Sequence, residues 1–131
     1  MAKAKTGGLG TIKLQAKSKV TRSLTTGFVL LNPFGAEIYK RKSKFMVYWT
    51  GGPGYPGCNV NIYLIDEKNW CACLVIATNL PYNGVFGAKQ FQIPANFIPT
   101  STPPHAHEYL VYIEDVPQTT WRYGDIFQIW I

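Results

Sequence analysis

Val60-Asn61-Ile62-Tyr63-Leu64-Ile65-Asp66-Glu67-Lys68-Asn69-Trp70-Cys71-Ala72-Cys73-Leu74-Val75-Ile76-Ala77 is the stretch whose reading decides the fold. Val60, Ile62 and Leu64 alternate with Asn61 and Tyr63, the period of two that sends every second side chain of a strand to the same face. Asp66-Glu67-Lys68-Asn69 is a polar turn, and the run from Cys71 to Ala77 that follows is strand-sized. Two such runs joined by four polar residues predict a β-hairpin.

The same pattern continues on both sides. Phe28 to Leu31 reads as a strand stopped by Asn32-Pro33-Phe34-Gly35, because proline cannot continue a central ladder and glycine permits the turn. Ile38-Tyr39 adds a short edge piece, and Phe45, Val47 and Trp49 share one face of the next strand. The segment Thr50 to Gly57 is too rich in glycine and proline to be regular. Downstream, Asn83-Gly84 marks a tight turn, Val85 to Ile93 is a strand that Pro94 ends, Tyr109, Val111 and Ile113 alternate, and Ile126 to Ile131 is the last strand. The spacing predicts an all-β, immunoglobulin-like sandwich of about seven strands over residues 25–131. At 131 residues, 47% of them hydrophobic, the chain suffices for one domain with a real core.

Charge divides the chain unevenly. From Met1 to Lys44 there are ten cations against the single acid Glu37, whereas the remainder holds three cations against six acids. Residues 1–24 are basic, contain Gly7, Gly8 and Gly10, and show no periodicity. Such a segment buries too little apolar area to offset its chain entropy, so it is expected to be an extended arm that gains order by docking on a companion. Lys3, Lys5, Lys13, Lys17, Lys19 and Arg22 are its expected partner-binding residues, and Lys40, Arg41, Lys42 and Lys44 form a second basic corner. The sandwich itself is expected to offer a neighbour an aromatic and acidic surface.

Catalysis and metal binding find little support. His105 and His107 are the only histidines, both in a proline-rich loop, and no Gly-x-Ser-x-Gly elbow accompanies them. Cys71 and Cys73 lie one residue apart on one strand face, a spacing that lacks the turn zinc chelation prefers, so they read as core thiols. Three cysteines, an odd number, fit a reducing compartment better than a disulfide framework. The acids Asp66, Glu67, Glu114 and Asp115 are too few for a calcium loop. No catalytic residue, metal or cofactor is therefore expected. No run approaches the roughly 18 apolar residues of a membrane span, and the N-terminus lacks the apolar stretch of a secretory signal.

Leu31-Asn32-Pro33-Phe34-Gly35-Ala36-Glu37, Val47-Tyr48-Trp49-Thr50, Val60 to Leu64, Ile76-Ala77-Thr78-Asn79-Leu80, Asn83-Gly84, Phe91-Gln92-Ile93-Pro94, Glu108 to Ile113 and Tyr123 to Ile129 occur in one order and spacing. Taken together, these pieces resemble the N-terminal β-sandwich domain of fungal cell-wall β-1,6-glucan synthesis proteins and related Ser-Thr-rich GPI-anchored proteins. The resemblance implies an immunoglobulin-like architecture and an interaction role, with no catalytic residues to carry over. This sequence departs from the cell-surface members in showing no signal peptide, Ser/Thr-rich tail or lipid-anchor signal. The expectation is accordingly a structural protein of a virion, made in the host cytoplasm: a minor capsid or cementing subunit of a large DNA virus, with other capsid proteins as partners. A carbohydrate-binding module with Tyr55, Trp70, Trp121 and Tyr123 as its platform is the alternative. A basic protein associated with nucleic acid is the third reading, with phosphate contact by lysine as its main interaction.

Overall fold

The protein is described by a computed structural model over residues 27–53 and 58–131. The expected arm at 1–24 and Tyr55 lie outside the described residues. Nine strands follow in order: β1 (Gly27–Asn32), β2 (Ile38–Lys40), β3 (Lys44–Gly52), β4 (Asn59–Asp66), β5 (Cys71–Pro81), β6 (Phe86–Gln92), β7 (Glu108–Asp115), β8 (Trp121–Tyr123) and β9 (Phe127–Trp130). One sheet has the order β1-β3-β6, and the other β2-β9-β7-β4-β5 with β8 also beside β7. The architecture is all-β in two sheets, consistent with a sandwich. The count exceeds the expected seven or so by β2, which the sequence offers as the short edge piece at Ile38-Tyr39, and by β8, three residues long and too short for alternation to reveal it.

The hairpin from Val60 to Ala77 forms as its sequence predicts, β4 pairing antiparallel with β5. Asp66 shapes its turn, accepting from the Lys68 N–H and the Asn69 amide at 2.9 Å each. The Trp70 N–H, at a φ of +50°, closes the turn on the Asp66 carbonyl at 2.7 Å. Three register irregularities interrupt β4–β5 pairing, so the long strand β5 does not keep a clean two-residue alternation.

Between the sheets lies the main core. Phe28, Phe45, Val47 and Trp49 come from the smaller sheet, and Val60, Ile62, Leu64, Val111, Ile113, Phe127 and Ile129 from the larger. Each such side chain, fully buried, stabilises by about 1.5–3 kcal/mol. Trp49 faces Gly87 across β3 and β6, and a Cβ on Gly87 would stand 2.1 Å from the indole Cε2. Only glycine lets the indole lie flat over that strand.

Alternation alone places Tyr63, Ile65, Leu110 and Tyr112 toward solvent. Instead they are buried, forming with Ala72 a second cluster against which Trp70, Trp121 and Tyr123 pack. Strands β4 and β7 are thus buried on both faces, which explains why Val60 to Ile65 and Tyr109 to Ile113 are almost continuously apolar.

Candidate functional site

The cationic corner sits where β2 passes into β3. Ser43 closes the turn: its N–H donates to the Lys40 carbonyl at 3.1 Å, and its hydroxyl oxygen accepts from the Lys40 N–H at 3.2 Å. Lys42, with φ +73°, donates its N–H to the Ile93 carbonyl at 2.9 Å and accepts from the Gln92 amide at 3.1 Å. The Arg41 N–H donates to the Trp130 carbonyl at 3.1 Å, and its guanidinium reaches the Phe97 carbonyl at 3.4 Å. Backbone bonds therefore pin the turn to the ends of β6 and β9, while Lys40, Lys42 and Lys44 are exposed and Arg41 is half-buried. Among the described residues the one ion pair joins His105 to Glu108 at 2.7 Å, so none of these four cations is matched by a carboxylate.

The acids behave differently. Asp115, fully buried at the end of β7, accepts from the Thr120 N–H at 2.9 Å and from the Thr119 hydroxyl. Glu114, also buried, accepts from the Asn61 amide at 3.0 Å and the Gln118 amide at 3.1 Å. Burial pushes the Glu114 carboxyl above its ordinary value of 4.5, and the hydrogen bonds only partly pull it back. Asp66 is buried too and additionally accepts from the Thr100 hydroxyl at 2.8 Å. Glu37 accepts from the Tyr39 hydroxyl. The expectation of an acidic docking surface is thereby corrected: Asp66, Glu114 and Asp115 hold turns from inside, leaving the exterior more cationic than the composition suggests.

Of the expected sugar platform, Trp70, Trp121 and Tyr123 do come together, but as the cover of the second cluster. The Trp70 and Tyr123 rings meet edge to face, 5.6 Å apart and at 89°, so they present no common plane to a sugar. A different group lines a cavity of about 580 Å³ at the connection from β5 to β6: Trp49, Tyr82 and Phe86 with the amides Asn59 and Asn83. Asn83 Oδ1 accepts from the Val85 and Phe86 N–H groups at 2.7 and 3.2 Å, which leaves its amide NH₂ for other contacts. Sequence reasoning missed this set because its members come from β3, β4, the β5–β6 turn and β6.

Cys58, Cys71 and Cys73 are all free thiols. Burial raises the pKa of each, reinforced by the negative charge of Asp115 near Cys58 and of Asp66 near the other two. Thiols held protonated in this way are poor nucleophiles. Cys73 packs against the main core and directs its Sγ to the Leu64 carbonyl at 3.4 Å. The two histidines are occupied elsewhere, His105 with Glu108 and His107 in a parallel stack on Trp130 with centroids 3.8 Å apart at 9°. Among the described residues no three His, Cys, Asp or Glu side chains converge as metal ligands do.

No protein-family model matches the chain, and neither does any curated protein.

Proposed function

We propose that the protein is a non-enzymatic structural subunit of a macromolecular assembly, in its most specific form a minor capsid or cementing protein of a large DNA virus. The observation that carries this reading is the fate of the charges. The carboxylates Asp66, Glu114 and Asp115 are consumed in the body's own turns, while Lys40, Lys42 and Lys44 are exposed, and neither they nor the half-buried Arg41 has a carboxylate to meet it. The basic residues Lys3, Lys5, Lys13, Lys17, Lys19 and Arg22 precede them in sequence. A rigid body carrying unmatched cations and a basic leader suits a subunit whose counter-charges belong to neighbours. Many weak contacts of this kind become strong by avidity in a lattice.

The reading is tested in the full chain by replacing Lys13, Lys17, Lys19 and Arg22 with serine. The variant should fold with an unchanged thermal midpoint yet fail to co-purify with the particles or complexes that capture the parent. Normal incorporation of the variant would remove the leader's assigned role.

A carbohydrate-binding module remains a second reading, favoured by the cavity between β5 and β6. Its volume falls within the range of about 300–1,000 Å³ usual for ligand pockets, and aromatic rings beside amides suit sugar rings and hydroxyls. Binding of the full chain on a glycan array, lost in Phe86→Ala, would support it; a blank array would set it aside.

A further inference from the structure

We propose that the cationic corner is a binding site for single-stranded nucleic acid, with Trp130 as the ring on which a base stacks. The inference is independent of the leader and of how the subunit is tied to its neighbours.

The register of β2 on β9 is where it begins. The two strands pair in parallel, Ile38 beside Gln128 and Lys40 beside Trp130, so these four side chains share the outer face of the larger sheet. One face of the Trp130 indole lies on His107, 44% of the residue stays exposed, and among the described residues its ring meets no other aromatic side chain. A third ring entering there would extend a stack that already exists.

This platform is fixed in place before any ligand arrives. The Trp130 Nε1–H donates to Gln128 Oε1 at 2.9 Å, which sets the indole's rotation. His107 is clamped to β9 by two bonds: its carbonyl accepts from the Ile129 N–H at 3.0 Å, and its Nδ1 lies 3.2 Å from the Ile129 carbonyl. Because a carbonyl only accepts, that nitrogen carries a proton. A ring immobilised in advance loses less freedom on binding than a free one.

Lys40 lies beside Trp130 across β2 and β9, the Arg41 N–H binds the Trp130 carbonyl, and Lys42 follows in the same turn, all without carboxylate partners, whereas Lys44 lies on the outer face of the other sheet. Two acids adjoin Gln128, and both are engaged: Glu37, whose carbonyl accepts from the Gln128 N–H, takes the Tyr39 hydroxyl on its carboxylate, and Glu108, paired with Gln128 across β7 and β9, is held by His105. A flat ring beside clustered cations is what a single strand needs, a π-surface for the base and positive charge for the phosphates. An acidic polypeptide would use the cations but has no demand for the stacked ring. In a duplex the bases are already stacked on each other and cannot reach it.

Anisotropy of a fluorescein-labelled dT15 oligonucleotide titrated with the full chain at fixed salt tests the site. Trp130→Leu, which keeps apolar bulk but cannot stack, should weaken binding by about tenfold, and Trp130→Phe should restore most of the loss. Replacing Lys40 and Lys42 with serine should lower the slope of log affinity against log salt by about 1.4, as expected for two lost phosphate contacts on a single strand. A dT15 affinity unmoved by Trp130→Leu would overturn the proposal, since the leader's lysines would then carry the binding. So would competition by poly-glutamate as effective as that by unlabelled dT15, or no dT15 binding at low salt.

Discussion

The turn after β7 and the turn after β2 carry opposite charges and dispose of them in opposite ways. In the first, the chain buries a carboxylate and surrounds it with donors: Asp115 is sealed from solvent while Thr119 and Thr120 give it hydrogen bonds. In the second, backbone groups, Ser43, the Gln92 amide and the Arg41 guanidinium on the Phe97 carbonyl hold the turn, and the lysine ammonium groups take no part. Burying a charge is costly unless every lone pair is met, so an internal carboxylate implies a structural debt to its partners. An exposed lysine carries no such debt. Removing charge from the first turn should therefore damage the fold, and removing it from the second should damage only what the protein touches.

The largest effect is expected at Asp115. Asp115→Ala removes a fully buried carboxylate and with it the acceptor of the Thr120 N–H and the Thr119 hydroxyl, and should destabilise by about 3 kcal/mol in chemical denaturation. Asp66→Ala comes next. It unpairs the Lys68 N–H, the Asn69 amide and the Thr100 hydroxyl, but the turn is nearer to solvent, so a loss of about 2 kcal/mol is expected. Were either variant as stable as the parent, the claim that these carboxylates hold the turns would fail.

Glu114 sharpens the comparison through pH. Its folded-state pKa lies above the ordinary 4.5, chiefly because burial disfavours the charged form. The folded state therefore binds this proton more tightly than the unfolded chain does. The stabilisation it contributes is complete below pH 4.5 and fades as pH rises through the folded value. Glu114→Gln cannot ionise, so relative to the parent it should gain stability over that window. Thermal midpoints of both proteins measured in steps from pH 4 to 7 check the sign; a gap that narrows or stays constant contradicts it.

Much of the body was legible in sequence because the relevant forces are local. Phe45, Val47 and Trp49 alternate, as do Val60, Ile62 and Leu64, and all six are buried in the main core. The second cluster was not legible: Tyr63 and Tyr112 look like solvent-facing positions until Trp70, Trp121 and Tyr123 are seen to cover them. The same blindness misplaced the acids. Nothing near Asp115 in the chain says that its carboxylate faces inward, although Thr119 and Thr120 four and five residues later are fitting partners for a closed turn. Of the candidate site, the run Lys40 to Lys44 was plain from composition, but the stack of His107 on Trp130 depends on the meeting of a loop with the last strand. Such a pairing between distant segments leaves no local period to read.

The smallest effect is expected at the cationic corner itself, and it separates a docking surface from a structural one. Lys40, Lys42 and Lys44 are exposed, form no ion pair among the described residues, and serve the turn through backbone atoms that any residue supplies. Lys42 has a positive φ, which asparagine tolerates better than most side chains, so Lys42→Asn with Lys40→Ser and Lys44→Ser removes the charges with least backbone strain. This triple variant should unfold within about 0.5 kcal/mol of the parent, the range of ordinary surface substitutions. If mutual repulsion among the lysines matters, the change should favour the variant at low salt and vanish as salt screens it. A loss comparable to that of Asp115→Ala would mean that the cations are internal supports after all, and the contrast between the two turns would collapse.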